Sequence, residues 1–499
     1  MGRNTQARPT WLHFGPGNIF RAFPALAQQK LLNQGLTDTG IVVCETFDEE
    51  IITRGLAPYD HLTCAVTLKN SGQIAYDIVA SITEGLTLTH DKQRLIEIFT
   101  NPSLQMASFT ITEKGYATHD ATGQVLGYVQ NELNHAPENA RTVAGVVTYL
   151  AYQRFQAELK PLALVSMDNC ADNGDLLKKS ILFMARDWVD KGHLSQDFVA
   201  YLETLSYPIS MIDKITPNPS EQVAASLSAL SYQDTHIIKT SKGSTVASFV
   251  NGEESEYLFI EDDFPNGRPP LEHAGVVFTD RTTVTNVEKM KVGACLNPLH
   301  TMIAIFGSVL EYPTVSRAMA DKDLVRVLEV ASYQESLPFV PNPGVITPKE
   351  FLDTVLQVRF PNPFIPDMPA RIATDTSLKI PVRFGEVLKT MKKQGFDVAS
   401  LRAIPFFVAG WFRYLTQLND KGERFTLSPD PMLAVLLPIF EGYHLGDRGL
   451  NTQAKGLLSN VGFFGIDLVA AGLLPKIEGY FNQLMAGEGA VGEALARFS

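Results

Sequence analysis

Two periodicities divide this chain. Upstream of about residue 284, short apolar runs alternate with stretches of helical spacing. Residues 10–14 (TWLHF), 40–44 (GIVVC), 106–112 (MASFTIT) and 162–167 (LALVSM) are near-continuous apolar runs closed by Gly, Asn or Asp. That is the signature of strands buried on both faces. Between them, residues 139–159 place Val143, Val146, Val147, Leu150 and Ala151 on one helical face, and a second helix follows Asn173-Gly174 as far as Trp188. Residues 61–90 alternate instead (HLTCAVTL, then IAYDIVASI), which predicts antiparallel strands inserted in or flanking the main sheet. Strands alternating with helices predict an α/β, doubly wound, Rossmann-type parallel sheet.

Downstream the pattern changes. Residues 298–310, 324–332, 348–358, 384–391, 404–418, 431–440 and 477–485 all carry helical spacing, interrupted at 371–381 (RIATDTSLKIP). The expected organisation is therefore an α/β dinucleotide-binding domain over 1–283 and a mainly α-helical substrate or catalytic domain over 284–499.

Candidate chemistry sits where the elements end. Gly15-Pro16-Gly17-Asn18-Ile19 follows the first strand and opens an Ala-rich helix that runs through Leu32. In that context a GxG lets the backbone approach a pyrophosphate, although Phe20 stands where the third glycine of the fingerprint belongs. Glu45 and Asp48 close the second strand; a carboxylate there accepts from an adenosine ribose diol and repels a 2′-phosphate, favouring NAD over NADP. Either acid also fits a plain solvated loop. Glu113 and Asn169 follow later strands, at the ends that face the ligand crevice in such sheets. Arg268 in the turn after Glu261-Asp262-Asp263 is able to anchor a carboxylate or phosphate, and a structural loop is the alternative. Arg371 and Lys379 would suit a polyhydroxylated or carboxylated substrate.

At the junction, residues 287–301 (VEKMKVGACLNPLHT) bring an amine, Lys291, a carboxamide, Asn297, and an imidazole, His300, close in sequence. A proton acceptor, an oxyanion donor and an orienting group suffice for metal-free alcohol/ketone redox chemistry.

Composition narrows the field. Fifty-four acids against 42 bases give a net charge of −12, which disfavours a nucleic-acid partner. There is no run of 18 apolar residues, so no membrane span is expected. The N-terminal residues carry no signal-peptide h-region and Gln6 breaks the myristoylation pattern. The four cysteines are far apart, with no CxxC, and read as reduced thiols of a cytoplasmic protein. The histidines include no HExxH, so no metal is expected.

Collected in order, these segments resemble the polyol-specific long-chain dehydrogenases, the family of mannitol 2-dehydrogenase, fructuronate reductase and tagaturonate reductase. The resemblance rests on GPGNIFRAF (15–23), TEKGY (112–116), Met167-Asp168-Asn169, MIDKI (211–215), IEDDFPNGRPPLE (260–272), Asn297-Pro298-Leu299-His300 and RIATDTSLKIPVR (371–383). It implies a zinc-independent, NAD-linked oxidoreductase with Lys291 as general acid/base. By the same carry-over, Asn169 and Asn297 donate to the reacting oxygen and His300 holds a substrate hydroxyl. Asp213, Arg371 and Lys379 bind substrate, and Glu113 is a proton-relay carboxylate.

The chain departs from that family at the lysine. It lies six residues before Asn297, against the family's five, so a regular helix would swing the amine away by about 100°. The sequence therefore predicts a π-bulge between Val292 and Leu296, eased by Gly293, with Lys289 as the substitute if the helix is regular. Further differences are Lys214 for the family's arginine and Pro298 for a small residue. The expected substrate is a 2-keto sugar acid of the fructuronate or tagaturonate type, interconverted with its aldonate; the GxGNxxRAF form and Arg371, Lys379 and Arg383 favour it. The alternatives are a polyol 2-dehydrogenase acting on mannitol or arabinitol, and a catalytically silent NAD- or sugar-binding member. The expected partner is a small molecule, with the chain a monomer or small homo-oligomer.

Overall fold

The computed structural model describes residues 1–120 and 122–498. The strands in chain order are β1 (Trp11–Phe14), β2 (Ile41–Glu45), β3 (Thr63–Leu68), β4 (Ile74–Val79), β5 (Ile82–Thr87), β6 (Met106–Phe109) and β7 (Ala163–Ser166). They continue with β8 (Ser210–Asp213), β9 (Ile238–Lys239), β10 (Thr245–Val246), β11 (Phe249–Glu253), β12 (Tyr257–Glu261) and β13 (Val277–Thr279). The chain forms two compact units, Met1–Thr285 and Asn286–Ser499.

In the first unit, a five-stranded sheet runs β5-β2-β1-β6-β7, every pair parallel. Its strands β1, β2, β6 and β7 are buried at every position because both faces are covered. Leu12, Phe14, Val42, Cys44, Ala107, Phe109 and Leu164 join one buried core, while Trp11, Ile41, Val43, Met106, Ala163 and Val165 join the other. Alternate residues of each strand thus serve opposite layers. Strand order reverses between β1 and β6, which puts a ligand crevice outside their carboxyl ends. Smaller sheets add β11-β3-β4 and β13-β12-β8.

Several elements differ from the sequence reading. Within 61–90, β3 and β4 are antiparallel as expected, but Ile82–Thr87 is a parallel edge strand of the main sheet. The helix after the glycine turn is broken at Phe23, between Asn18–Ala22 and Pro24–Asn33, because Pro24 has no N–H to give. The long helix starts only at Val143, where the Thr142 side chain accepts from the Gly145 N–H, and ends at Gln156. Strand β6 stops at Phe109, and Thr112–Gly115 is a helical turn entered through Thr112 at a φ of 64°.

The second unit is helical. Its hub is Ala403–Leu415, buried along its whole length, in which the Arg413 guanidinium donates to the carbonyls of Leu418, Asn419 and Leu484. The segment read as an interruption is itself helical, as Pro369–Ile372, Thr376–Ile380 and Pro381–Gly385. Four stretches are π-helical: Lys291–Cys295, Val330–Ser336, Val355–Arg359 and Pro381–Gly385. The helical stretch Arg281–Val309 is long and apolar enough to cross a membrane by composition, but 78% of its apolar window is buried inside the protein, as in a core helix.

Candidate active site

In the first unit, the turn after β1 is built for close approach. Gly15 adopts a φ of 82°, and a Cβ there would meet the Thr110 carbonyl oxygen at 2.5 Å. Gly17 is different: a Cβ on it would meet nothing nearer than 3.9 Å. No contact within the chain requires that glycine, and the backbone there lies open to close approach. Asn18 begins the helix, its Oδ1 accepting from Arg21, and Ile19 packs against the core. Arg21 is fully buried and donates to the Ala247 carbonyl at 2.8 Å, tying the turn to the segment before β11.

At the end of β2 the two acids separate. Glu45 is buried, and its Oε1 accepts the backbone N–H groups of Thr46, Phe47 and Asp48 at 3.0, 3.0 and 3.4 Å, closing its own turn. Burial raises its pKa against those hydrogen bonds. Asp48 accepts from the Thr240 hydroxyl at 2.7 Å through Oδ2, while its Oδ1 is buried with no hydrogen-bond partner. Asp48 is among the residues lining a cavity of about 290 Å³, with Phe47, Ser241 and Lys242. Phe47 is 72% exposed, with the Lys242 ammonium 5.0 Å from its ring centroid.

Glu113 stands exposed on the turn after β6, and Asn169 is exposed just past β7. The residue that shapes both positions was read from the sequence only as part of a motif. Asp168 is buried and accepts from the N–H groups of Ile111 and Thr112 at 2.9 and 2.8 Å and from the Tyr116 hydroxyl at 2.5 Å. Asn173, also buried, donates to the Asp168 carbonyl and to that of Ser210, fastening β7 to β8. Asp213 is buried at the end of β8, beside Lys214, which pairs with Glu256 at 2.7 Å. Arg268 is no anion anchor. Its guanidinium is forked onto Asp262, bonded to Glu272 and stacked 3.5 Å over the Phe278 ring.

In the second unit, Lys291–Cys295 is the expected π-turn, with the Leu296 N–H donating to the Lys291 carbonyl at 3.1 Å. Lys291 is 2% exposed, whereas Lys289 is on the surface. Asn297 opens the next helix, and its side-chain Oδ1 is a buried acceptor without a partner. Its backbone carbonyl accepts from Arg383 at 3.1 Å, and Arg383 also donates to the Thr301 hydroxyl at 2.6 Å. His300 stacks on Phe360, with ring centroids 4.7 Å apart, and turns Nε2 toward Asp367 Oδ2 at 3.4 Å. Burial lowers the His300 pKa while Asp367 opposes the shift, so the imidazole is neutral at pH 7. Asp367 also pairs with one nitrogen of Arg371, four residues away, and the rest of that guanidinium is exposed. Asp367 had no signal in the sequence beyond being an acid in a loop.

Lys379 donates to two backbone carbonyls, Ile372 at 2.9 Å and Thr374 at 2.5 Å. Burial, with the positive charge of Arg383 nearby, lowers it to about 8. Burial lowers Arg383 to about 10. Their hydrogen-bond acceptors are neutral oxygens, which leaves two partly or wholly buried cations available to an anion. Among the described residues no group of three or more His, Cys, Asp or Glu could hold a metal ion.

The mannitol dehydrogenase Rossmann-domain family model matches residues 9–273, and the mannitol dehydrogenase C-terminal-domain model matches residues 283–483. The D-mannonate oxidoreductase of Thermotoga maritima is 44% identical, over 99% of this chain and 93% of its own length. The mannitol 2-dehydrogenase of Aspergillus clavatus is 29% identical, over 93% of this chain and 88% of its own. The structure resembles that of Pseudomonas fluorescens mannitol 2-dehydrogenase in ternary complex with NAD and D-mannitol, at a TM-score of 0.72 and 26% identity, covering 99% of this chain and 95% of that one. It also shares the fold of a substrate-free D-sorbitol dehydrogenase, at a TM-score of 0.82 and 24% identity, covering 98% of this chain and 95% of that one. With family models covering nearly its whole length, the chain belongs to the mannitol dehydrogenase family of oxidoreductases acting on CH–OH groups.

Proposed function

We propose that this chain is an NAD-dependent oxidoreductase that interconverts a 2-keto sugar acid, of the fructuronate or tagaturonate type, with its aldonate. The carrying observation is the pair Lys379 and Arg383, half-buried cations whose hydrogen bonds go to neutral oxygens, in the same helical unit as Lys291, Asn297 and His300. Asp375 and Asp430 act on Lys379 only at a distance, and a carboxylate substrate would give the pair a directly bonded counter-charge. The 44% identity to a D-mannonate oxidoreductase, against 29% to a mannitol 2-dehydrogenase, supports the same preference.

The cofactor assignment fits the residues present. The bare backbone at Gly17 suits a pyrophosphate, and the Asp48 carboxylate, on the lining of the cavity past β2, would accept from a ribose hydroxyl and repel a 2′-phosphate. Glu45 shapes that turn rather than supplying the acceptor. When bound, NAD supplies the hydride acceptor for oxidation at C2 and, reduced, the donor for the reverse.

The protein's own part is proton and charge management. Lys291 takes the C2 hydroxyl proton during oxidation and returns it during reduction. The Asn297 side chain, whose oxygen has no protein partner, turns its amide to the substrate, and its N–H stabilises alkoxide character at O2. Neutral His300, held by Asp367 and Phe360, hydrogen-bonds a substrate hydroxyl. Lys379 and Arg383 take the carboxylate, and Arg371 acts through Asp367. By resemblance, the first unit contributes Asn169 as an amide donor, Asp213 as a substrate contact and Glu113 as the relay carboxylate. The π-turn at Lys291 supports the catalytic reading over a silent member. A neutral polyol such as mannitol or arabinitol is the second reading, favoured by the mannitol 2-dehydrogenase relatives.

Following NADH consumption with fructuronate, tagaturonate and fructose tests the proposal. Turnover of one of the two uronates at a kcat/KM well above that of fructose is expected; turnover of fructose alone would overturn it.

A further inference from the structure

His13 is a buried titratable side chain to which the chemistry above gives no task. His13, on β1 two residues before Gly15, has no exposed surface. Burial, opposed by a hydrogen bond to the Gly15 carbonyl, lowers its pKa to about 3, so the ring is neutral. A neutral imidazole donates through one nitrogen and accepts through the other, and its neighbours decide which.

Ser108 of β6 sits across the sheet from it in register. The Ser108 hydroxyl oxygen lies 2.7 Å from Trp11 Nε1 and 2.7 Å from His13 Nδ1. An indole N–H only donates, so Ser108 accepts from Trp11 and points its own proton at His13 Nδ1. The ring proton is then on Nε2, 3.0 Å from Thr110 Oγ1 and 3.3 Å from the Gly15 carbonyl. The Thr110 hydroxyl in turn donates to the Gly15 carbonyl at 2.6 Å. Every proton in the chain points the same way, from the Trp11 indole to the Gly15 oxygen, and such bonds polarise one another. The other tautomer would leave Ser108 accepting twice with its own proton unplaced.

A second contact converges on the same ring. Phe20, at the position of the missing third glycine, stacks flat on His13 with centroids 3.5 Å apart and planes 6° from parallel. The imidazole therefore holds Gly15 by its edge and the first turn of the following helix by its face. The Gly15 carbonyl also takes the Gly17 N–H at 2.7 Å, so its direction sets that of the whole Gly15–Pro16–Gly17 backbone.

We propose that His13 is a positioning residue for the dinucleotide: the Trp11–Ser108–His13–Thr110 chain and the Phe20 stack lock the phosphate-facing turn in its binding conformation. The inference rests on the NAD reading above. It substitutes an aromatic brace for the glycine that normally lets helix and strand pack closely.

The test compares full-length wild type with His13→Phe, which keeps the stack and removes both ring nitrogens, with Thr110→Val, and with the double variant. NADH affinity is read by fluorescence titration, alongside melting temperature, sugar-acid KM and kcat at saturating NADH. Each single change is expected to weaken NADH binding on the order of tenfold, a loss of one effective hydrogen bond. The double variant should bind no worse than the weaker single, with sugar-acid KM and kcat near wild type. His13→Gln, which restores a donor toward Thr110, should recover part of the affinity. NADH binding within twofold of wild type in both singles, or losses that simply add, would overturn the proposal while leaving the NAD reading intact. A wild-type enzyme that bound no NADH would overturn both. Should His13→Phe not fold, Thr110→Val carries the test alone.

Discussion

The backbone N–H of Leu296 donates to the carbonyl of Lys291, five residues earlier, at 3.1 Å. This wide turn absorbs the residue by which the chain departs from its family's lysine-to-asparagine spacing. In a regular helix the extra residue would rotate the amine by about 100° relative to Asn297. Deleting Val292 should therefore straighten the turn into ordinary helix and retain turnover within about tenfold, because the shorter spacing again suits the face. Inserting an alanine after Val292 should abolish turnover without lowering NADH affinity. Steady-state rates and thermal melts of both variants check this; an insertion that leaves kcat intact would show that the register does not matter.

The Asp367–His300 contact yields the next expectation. Asp367→Asn keeps the shape but weakens the grip on the imidazole and frees Arg371. Misplacement of a catalytic group by about 1 Å costs up to about 10²-fold, so kcat/KM for the sugar acid should fall by tens-fold while NADH affinity stays unchanged. Parallel measurement of both constants decides it; an unaltered kcat/KM would remove Asp367 from the machinery.

The architecture was legible in the sequence where burial was two-sided or strictly periodic. The strands β1, β2, β6 and β7 read as apolar runs because both faces pack against helices. Strand β5 was not separated from the alternating run before it, because ITEGLT is buried only at Ile82, Leu86 and Thr87 and shows no continuous apolar run. The π-turn was legible from a spacing mismatch, since an extra residue in a packed helix must go somewhere. Asp367 and the role of Asp168 were not, because an acid that orients another side chain leaves no periodic trace; its meaning depends on what folds against it. Arg268 and Arg371 show the converse. Both look free in one dimension, and both pair with acids four to six residues away.

Lys379 gives a pH signature. Its pKa of about 8 means that the cation is present below that pH and is lost as the pH rises through it. The KM for a sugar acid should therefore rise between pH 7 and 9.5. Lys379→Arg, charged throughout, should flatten that rise. A wild-type KM that stays constant over the range would show that Lys379 does not bind the carboxylate.

Cofactor choice should rest on Asp48. Its carboxylate, held by the Thr240 hydroxyl through Oδ2, sits on the lining of the cavity past β2. Asp48→Asn removes the charge that repels a 2′-phosphate and should lower the preference for NADH over NADPH by about tenfold or more, a change of about 1.4 kcal/mol. Initial rates with the two reduced cofactors measure it directly. The same substitution at Glu45 should change melting temperature more than cofactor preference, because that carboxylate closes its own turn.

The central claim is that Lys291 manages the proton in a hydride transfer to a 2-keto sugar acid. The most direct measurement is a single-turnover experiment with Lys291→Ala, mixing enzyme and bound NADH with fructuronate or tagaturonate, whichever the wild type reduces, and following loss of NADH absorbance. Removing a general acid should slow the transfer by about 10²–10⁴-fold with NADH affinity unchanged. Lys289→Ala, at the exposed position two residues earlier, should react at the wild-type rate. Undiminished hydride transfer in Lys291→Ala would contradict the mechanism.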